Sequence, residues 1–469
     1  MALVDAGDIQ AIVDRGFGSL AGATHLLLRV IEPRAARAWL RSLPVTSLEQ
    51  AKGSKLERVC QLAFTAPGLE ALGFDPGEIG GFAPEFLDGM AGNERKSAQL
   101  GDIGANAPSN WEWGLGPNEP HVLIIVLAPL ADISGLEADY IAAAMNAGLE
   151  LVRAGRTNGI IGNEPFGFAD GLSQPEPDWD GKVVPGRAAD RAYRNSIAAG
   201  EFLLGHPNEY GFIADYPAAR EVGRNGTYLV YRQLAQDVRG LWRWLAARAG
   251  PDGAARLAEL MVGRGVNGDP LAALKPGPKN EFGFDADPDG ICCPVGAHIR
   301  RANPRSGDDP LGDRGFVRNL VSSLALEGSA IHDAVASARF HRILRRGRGY
   351  GPVIDPSDAM AGEGPPGEEE SGLHFICLGA SLARQFEFVQ GAWISSPYFA
   401  GQSCEQDPML GNRLPDNGAR ATDNFSYVDD EGCPRLIGGL PQFVTVRGGA
   451  YFFLPGLDGL GLILEEQER

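Results

Sequence analysis

Short apolar runs alternate with amphipathic helical segments along this chain, and this alternation restricts its fold more than any other feature. In the first half, THLLLRVIE (Thr24 to Glu32) is typical of a strand, and ARAWLRSL after it has helical periodicity. CQLAFTAPGLEALGF predicts a strand, a Pro-marked turn and a short helix. HVLIIVLAPL predicts a buried strand, and LEADYIAAAMNAGLELVRAG predicts a long amphipathic helix. A compact α+β unit is therefore expected.

The second half repeats this alternation. TYLVYRQL (Thr227 to Leu234) predicts a strand, and VRGLWRWLAARAG predicts a helix that ends at Gly250 and Pro251. HFICLGAS and QFVTVRGGAYFFLPG are typical of later strands, separated by loops rich in Gly and Pro. Because single cores rarely grow beyond about 250 to 300 residues, a chain of 469 residues is expected to form two comparable α+β halves.

Charge and cysteine content exclude several classes of protein. A formal net charge of -18 argues against a general nucleic-acid binder, which needs a basic surface. The longest apolar runs are too short for the ~20 residues of a membrane-spanning helix. The first residues, MALVDAGDIQAIVDRGFG, show no export signal, and the six cysteines lack the spacing of a disulfide framework. These features predict a cytoplasmic protein with no nucleic-acid or membrane partner.

Familiar phosphate-binding and hydrolytic motifs are missing. The chain contains no GxxxxGK[ST], HExxH or GxSxG, and no GxGxxG between a strand and a helix. The glycines of RRGRGYGP are weak evidence for a phosphate loop. The chain also lacks CxxCH, the motif for covalent haem attachment.

One acidic residue stands out in GFADGLSQPEPDW, where Asp170 follows Gly167 and precedes Gly171 in a segment without other charges until Glu176. Glycines on both sides allow a sharp turn and a close approach to a ligand. By itself, however, Asp-Gly is a common turn dipeptide. His298 alone is more simply explained as an ordinary surface or capping histidine, and the arginines from Arg345 to Arg348 as a solvated basic face.

Five segments taken together resemble the dye-decolourising peroxidases, a family of haem enzymes. In chain order they are GFADGLSQP, AHIRRANPR, HRILRRGRGYG, LHFICLGASLARQFEFVQGAW and VRGGAYFFLPG, and they extend over most of the chain. The resemblance implies an α+β fold of two ferredoxin-like domains with antiparallel sheets flanked by helices. It places an N-terminal domain at residues 1–165 and a C-terminal, haem-binding domain at residues 166–469.

The resemblance also assigns roles to individual residues. It implies that His298 is the axial iron ligand, that Asp170 is the acid/base above the haem, and that Arg345 is its cationic partner. Arg305 matches the position that pairs with a haem propionate. An aspartate can accept a proton from peroxide and return it to the departing oxygen, and a guanidinium stabilises the negative charge that builds on that oxygen.

Three further residues are expected at the cofactor. Leu373 and Phe375 lie two apart on an apparent strand, so both side chains should point to one face and cap the pocket. Glu387 is expected to accept a hydrogen bond from the second ring nitrogen of His298, because such a carboxylate makes the imidazole more electron-rich. The ten arginines between His298 and Tyr350, against five acids, suit a dianionic cofactor.

The function implied by the resemblance is a haem b (iron protoporphyrin IX) peroxidase that reduces hydrogen peroxide and oxidises dyes, phenols or similar small aromatic reductants. Trp179 and Tyr451 are candidates for passing electrons from bulky reductants inward. An alternative is a haem-binding or haem-handling protein with incidental peroxidase activity, and a third hypothesis is a cofactor-free α+β scaffold. The sequence does not determine the oligomeric state.

Overall fold

A computed structural model describes residues 4–182, 195–213, 220–273, 277–305, 337–362, 369–413, 415–416 and 420–465. Most of the arginine-rich stretch noted above, residues 306–336, lies outside these ranges. No helix in the described ranges is both long and apolar enough to cross a membrane.

Most of the strands lie in one large sheet, and the others form short pairs. In chain order the strands are β1 (Gly22–Val30), β2 (Val59–Phe64), β3 (Val122–Ala128), β4 (Leu149–Arg156), β5 (Glu176–Asp178), β6 (Ser196–Ala198), β7 (Thr227–Gln236), β8 (Leu344–Arg345), β9 (Arg348–Tyr350), β10 (Gly372–Gly379), β11 (Pro415–Asp416), β12 (Arg420–Ala421), β13 (Phe425–Val428), β14 (Pro434–Ile437) and β15 (Val444–Leu454).

The helices cover both faces of the sheet and fill the connections. They are α1 (Pro33–Arg41), α2 (Leu48–Gly53), α3 (Ala66–Ala71), α4 (Pro76–Ile79), α5 (Pro84–Asp88), α6 (Glu94–Leu100), α7 (Leu130–Asn146), α8 (Arg220–Gly223), α9 (Val238–Val262), α10 (His298–Ala302), α11 (Pro356–Ala361) and α12 (Leu457–Leu464). Short 3-10 turns occur at Ala11–Val13, Gly104–Asn106, Pro108–Asn110, Gly116–Asn118, Ala199–Glu201, Ser337–Arg339 and Phe399–Gly401, and π-helical turns at Ala383–Glu387 and Val389–Ile394.

The large sheet consists of two halves with the same strand order. The first half has the order β4-β1-β3-β2, and the second has β15-β7-β10-β8, with β9 also paired to β10. Neighbouring strands are antiparallel throughout. In each half the two central strands are the first and the third in chain order. This is the ferredoxin-like arrangement, so the predicted fold class is confirmed. The halves join where Phe64 of β2 pairs with Phe453 of β15.

The apolar runs form strands because the sheet buries both of their faces. All seven residues of β3 and all six of β2 are buried. Leu26 and Leu28 of β1 belong to a core on one face, and Leu27 to a core on the other. This alternation follows from the two-residue period of a strand. The sheet therefore separates two hydrophobic layers.

The predicted helix stop at Gly250 is present within α9. Gly250 adopts φ 74°, outside the helical region, and helical geometry resumes at Pro251. Glycine accepts a positive φ without a Cβ clash, and proline suits the first turn of the next helix. Residues 157–226, which connect the two halves of the sheet, contain the short parallel pair β5 and β6. The domain boundary between residues 165 and 166 stays a prediction.

Candidate active site

A cavity of about 260 Å³ lies in the second half of the molecule. Its wall comes from the loop before β5, from α10, from the segment around β8, from β10, and from the π-helical turns after β10. Asp170, His298, Arg305 and Arg345 line it together with Leu373 and Phe375. The structure thus brings six of the seven predicted site residues to one cavity, and Glu387 is the exception.

Asp170 is held by a tightly bonded loop. The N–H of Asp170 donates to the carbonyl of Gly162 at 2.8 Å. Glu164, which also lines the cavity, accepts hydrogen bonds from the N–H groups of Phe166 and Phe168, each at 3.0 Å. Gly167 and Gly171 have φ values of 102° and 77°, a region that favours glycine. The glycines of GFADG are therefore required by the turn that presents Asp170.

Arg345 reaches Asp170 from the neighbouring strand β8. Its Nη1 lies 3.6 Å from Asp170 Oδ1, and the side chains are 37% and 29% exposed. The same guanidinium donates through Nη2 to the carbonyl of Leu172 at 2.5 Å. The backbone N–H of Arg345 donates to Gln174 Oε1 at 2.9 Å. Asp170 and Arg345 can therefore contact one small molecule from fixed positions.

His298 begins α10 and is oriented by a carboxylate far away in the sequence. Its Nδ1 lies 2.9 Å from Asp407 Oδ2. The side chain of Asp407 is fully buried, and its other oxygen accepts the N–H groups of Met409 and Leu410. The His298 side chain keeps 29% of its surface accessible. Because Asp407 engages Nδ1, Nε2 is the nitrogen available to a metal.

The ionisation of this pair follows from burial and mutual attraction. Burial lowers the pKa of His298, but the adjacent Asp407 carboxylate outweighs this effect and the pKa is raised above its ordinary value. Burial raises the pKa of Asp407, but the His298 ring and the Arg301 guanidinium hold that pKa below its usual range. Asp407 is therefore an ionised acceptor at neutral pH.

Burial also raises the pKa of Glu164, although the backbone N–H groups of Phe166 and Phe168 act against this. Glu164 was not among the site residues predicted from the sequence. The only indication in the sequence is that Glu164 lies six residues before Asp170, close enough for a reverse turn to fold it back onto the same loop. His341 also lines the cavity; its ring stacks on Phe388 with centroids 3.7 Å apart.

The prediction that Glu387 accepts a hydrogen bond from His298 is wrong. Asp407 occupies that place, and Glu387 is bound instead by Lys96 Nζ and the hydroxyl of Tyr451. The π-helical turn Ala383–Glu387 carries the Glu387 carboxylate to these partners. No local spacing could have identified Asp407, because it lies 109 residues from His298.

The other three predicted residues, Arg305, Leu373 and Phe375, also line the cavity. Leu373 and Phe375 both face it from β10, while His374 between them faces the opposite side and bonds Tyr231. Arg305 is 1% exposed, and its guanidinium donates to the carbonyls of Asn280 and Phe282. A buried cation is thus fixed at the cavity wall.

Comparisons with known proteins identify relatives of this chain. No protein-family model matches the sequence. The chain is 28% identical over 435 residues to the multifunctional dye peroxidase DyP2 of Amycolatopsis sp., covering 88% of this chain and 84% of the relative. It is 26% identical over 440 residues to the dye-decolorizing peroxidase msp1 of Mycetinis scorodonius, covering 86% and 76%. The chain belongs to the dye-decolourising peroxidase family.

A solved dye-decolorizing peroxidase in complex with 2,6-dimethoxyphenol shares the fold. Its TM-score is 0.74 at 22% identity, and the match covers 99% of this chain and 100% of that one. Enzymes of this family use haem. The described residues fit such a group, because the cavity combines apolar side chains, an imidazole with one nitrogen available, and buried arginine. This dye-decolourising peroxidase therefore has a suitable haem site in its second half.

Proposed function

We propose that this peroxidase binds haem b in the 260 Å³ cavity and uses Asp170 and Arg345 to reduce hydrogen peroxide at the expense of small aromatic reductants. The observation that carries the proposal is the convergence of two pairs on that cavity. One is Asp170 with Arg345, and the other is His298 with Asp407.

His298 and Asp407 would hold the cofactor. His298 Nε2 would bind the iron, while Asp407 fixes the orientation of the ring through Nδ1. Arg305 would attract a propionate, since its charge is fixed by the carbonyls of Asn280 and Phe282. Leu373 and Phe375 would exclude water from the cofactor. When bound, the haem would supply the redox-active iron at which peroxide is reduced.

Asp170 would move the proton that peroxide reduction requires. As a carboxylate it accepts a proton from one peroxide oxygen and then donates it to the other as that oxygen leaves. Its loop is fixed by the bonds to Gly162 and from Phe168 to Glu164, so little reorganisation is needed. With 29% of its side chain exposed, Asp170 is accessible to a small molecule.

Arg345 would stabilise the charge on the departing oxygen. Its guanidinium is permanently charged and is aimed by the hydrogen bond to the carbonyl of Leu172. A second cavity, of about 590 Å³, is also lined by Asp170 and Arg345, and by Lys55. Peroxide would reach the pair from this side.

Reductants of the phenol class are supported by one neighbour. The solved relative described above was crystallised with 2,6-dimethoxyphenol. The walls of the 260 Å³ cavity include Phe168, Phe282 and Phe375, which suit aromatic molecules as well as the porphyrin.

The decisive experiment compares Asp170→Asn and Arg345→Leu with the parent protein after haem reconstitution. Both variants should keep the haem absorption band, because neither removes His298. Peroxide consumption should fall by about 10²–10⁴-fold for Asp170→Asn and by about 10²–10³-fold for Arg345→Leu. Rapid-mixing spectra that stay at parental rates in both variants would reject these roles.

We also place the enzyme in the cytoplasm. The six cysteines are unpaired, which suits a reducing compartment. Fractionation of the source cells tests this, and recovery of the protein outside the cytoplasmic fraction would contradict it.

A further inference from the structure

One acid on the wall of the cofactor cavity is held by neutral groups alone. Glu164 lines the 260 Å³ cavity and is only partly exposed. Its Oε1 accepts the N–H of Phe168 at 3.0 Å. Its Oε2 accepts the N–H of Phe166 at 3.0 Å and the Nε2 group of Gln236 at 2.9 Å. In the part of the chain that the structure describes, no Lys, Arg or His side chain forms an ion pair with this carboxylate.

The hydrogen bonds of Glu164 fit its ionised form. All three partners donate, and an ionised carboxylate only accepts, whereas a protonated carboxyl group must also donate. Burial raises the pKa of Glu164, and the three hydrogen bonds act against this rise. The geometry around Glu164 therefore favours a negative charge at the cavity wall.

Other buried acids of this protein have cationic partners, unlike Glu164. Glu387 pairs with Lys96, and Asp102 pairs with Arg232. Such pairing offsets the large cost of removing a charge from water. A cofactor in the cavity would cover more of Glu164, because Glu164 lies in the cavity wall. The charge of Glu164 would then be balanced only by a positive charge on the cofactor itself.

We propose that Glu164 is the counter-charge of the cofactor and stabilises its oxidised iron relative to its reduced iron. The inference rests on the proposed function, which places haem at His298 in the same cavity. Reduction of ferric to ferrous iron adds one electron and removes one positive charge, so a fixed negative charge nearby opposes it. Charges interact more strongly in the protein interior than in water. Glu164 would thus favour the removal of electrons from the cofactor by peroxide and oppose their return by the reductant.

The test is the midpoint potential of the ferric–ferrous couple in the haem-loaded protein, measured by spectroelectrochemistry. In Glu164→Gln the ratio of ferrous to ferric iron at a fixed applied potential should rise about tenfold. That ratio corresponds to a rise in midpoint potential of about 59 mV for a one-electron couple. Glu164→Asp keeps the negative charge, so its potential should stay close to that of the parent.

Two further variants complete the experiment. Glu137→Gln is the matched control, because Glu137 is a buried acid of α7 that pairs with Arg156 in the first half of the molecule. Its midpoint potential should equal that of the parent. If Glu164→Gln does not fold or does not bind haem, Gln236→Lys replaces it. The new ammonium group beside the Glu164 carboxylate supplies the missing ion-pair partner, so this variant should also raise the potential.

Each other outcome counts against the inference. A potential that is unchanged in Glu164→Gln, or in Gln236→Lys where that variant replaces it, overturns the role of Glu164 and leaves the proposed function intact. Equal shifts in Glu164→Gln and Glu164→Asp would show that the loop, and not the charge, sets the potential. A shift of the same size in Glu137→Gln also overturns the inference. A parent chain that binds no haem overturns the proposed function, and this inference with it.

Discussion

The two halves of the sheet have the same strand order but differ in what connects their strands. In the first half, a single 17-residue helix, α7, leads from β3 to β4. In the second half, residues 237–343 separate β7 from β8, and residues 380–443 separate β10 from β15. The candidate active site is built from these long connections, from the strands beside them, and from the loop before β5, which carries Asp170. The two halves thus share a strand topology, and the site residues come mainly from the segments that connect the strands.

The halves also differ in what they bury. The first is dominated by the apolar strands β2 and β3. The second buries ion pairs, among them the His298–Asp407 pair, whose histidine lines the cavity, and Arg339 with Glu209 at 2.7 Å. Buried charges are costly unless they are paired, and replacement by apolar residues often stabilises a protein. We infer that the second half gives up stability to hold charged groups at its cofactor site.

The largest effect is expected from removing the proposed iron ligand of the second half. His298→Ala should weaken haem binding by more than about 100-fold, since loss even of a ligand's hydrogen-bond partner costs about 10–100-fold. Haem titration followed by absorbance measures this. His341→Ala is the control, because His341 lines the same cavity but stacks on Phe388. Haem binding lost in His341→Ala and kept in His298→Ala would reverse the ligand assignment.

A core substitution in the first half should change stability without changing the cofactor. Leu26 of β1 is fully buried, so Leu26→Ala should lower the free energy of unfolding by about 2–5 kcal/mol. The haem absorption band should stay unchanged. Leu373→Ala, at the cavity wall, should instead shift that band and cost less stability. Denaturant unfolding together with absorption spectra distinguishes the two variants. A spectral change in Leu26→Ala would show that the core of the first half also affects the cofactor site.

The smallest effect concerns Glu201, a buried acid in the segment that connects the two halves. Burial raises the pKa of Glu201 to about 7, although Arg384 and the N–H of Glu209 lower it. The folded state therefore holds this proton more tightly than the unfolded chain. The stability that Glu201 contributes is complete below about pH 4.5 and is lost as pH rises to about 7, by roughly 3 kcal/mol at most.

Glu201→Gln removes this titration. Its unfolding free energy relative to the parent should improve as pH rises from 4.5 to 8, measured by denaturant unfolding at each pH. Glu150→Gln, an exposed position in the first half, should follow the parent curve. A constant difference between Glu201→Gln and the parent over this range would show that Glu201 does not titrate there.

Local pattern was sufficient for much of the fold and for part of the site. The apolar run at β3 and the stop at Gly250 follow from periodicity and backbone preference. The helix predicted over LEADYIAAAMNAGLELVRAG is only partly correct, because α7 ends at Asn146 and the last seven residues of that segment belong to strand β4. The positions of Leu373 and Phe375 follow from the two-residue period of β10. Local pattern could not identify the acid beside His298. Glu387 and Asp407 are both carboxylates that follow His298 in the chain, and only packing distinguishes them.

The sequence by itself determined the alternation of strands and helices, the turn glycines around Asp170, and the residues that mark the family, because each depends on interactions between near neighbours in the chain. Only the tertiary structure decided that β2 pairs with β15, that Asp407 orients His298, and that Glu387 accepts a hydrogen bond from Tyr451. These contacts join residues far apart in sequence. Their formation depends on how the layers pack and on which buried polar groups form hydrogen bonds with one another. Local spacing in the sequence predicts neither.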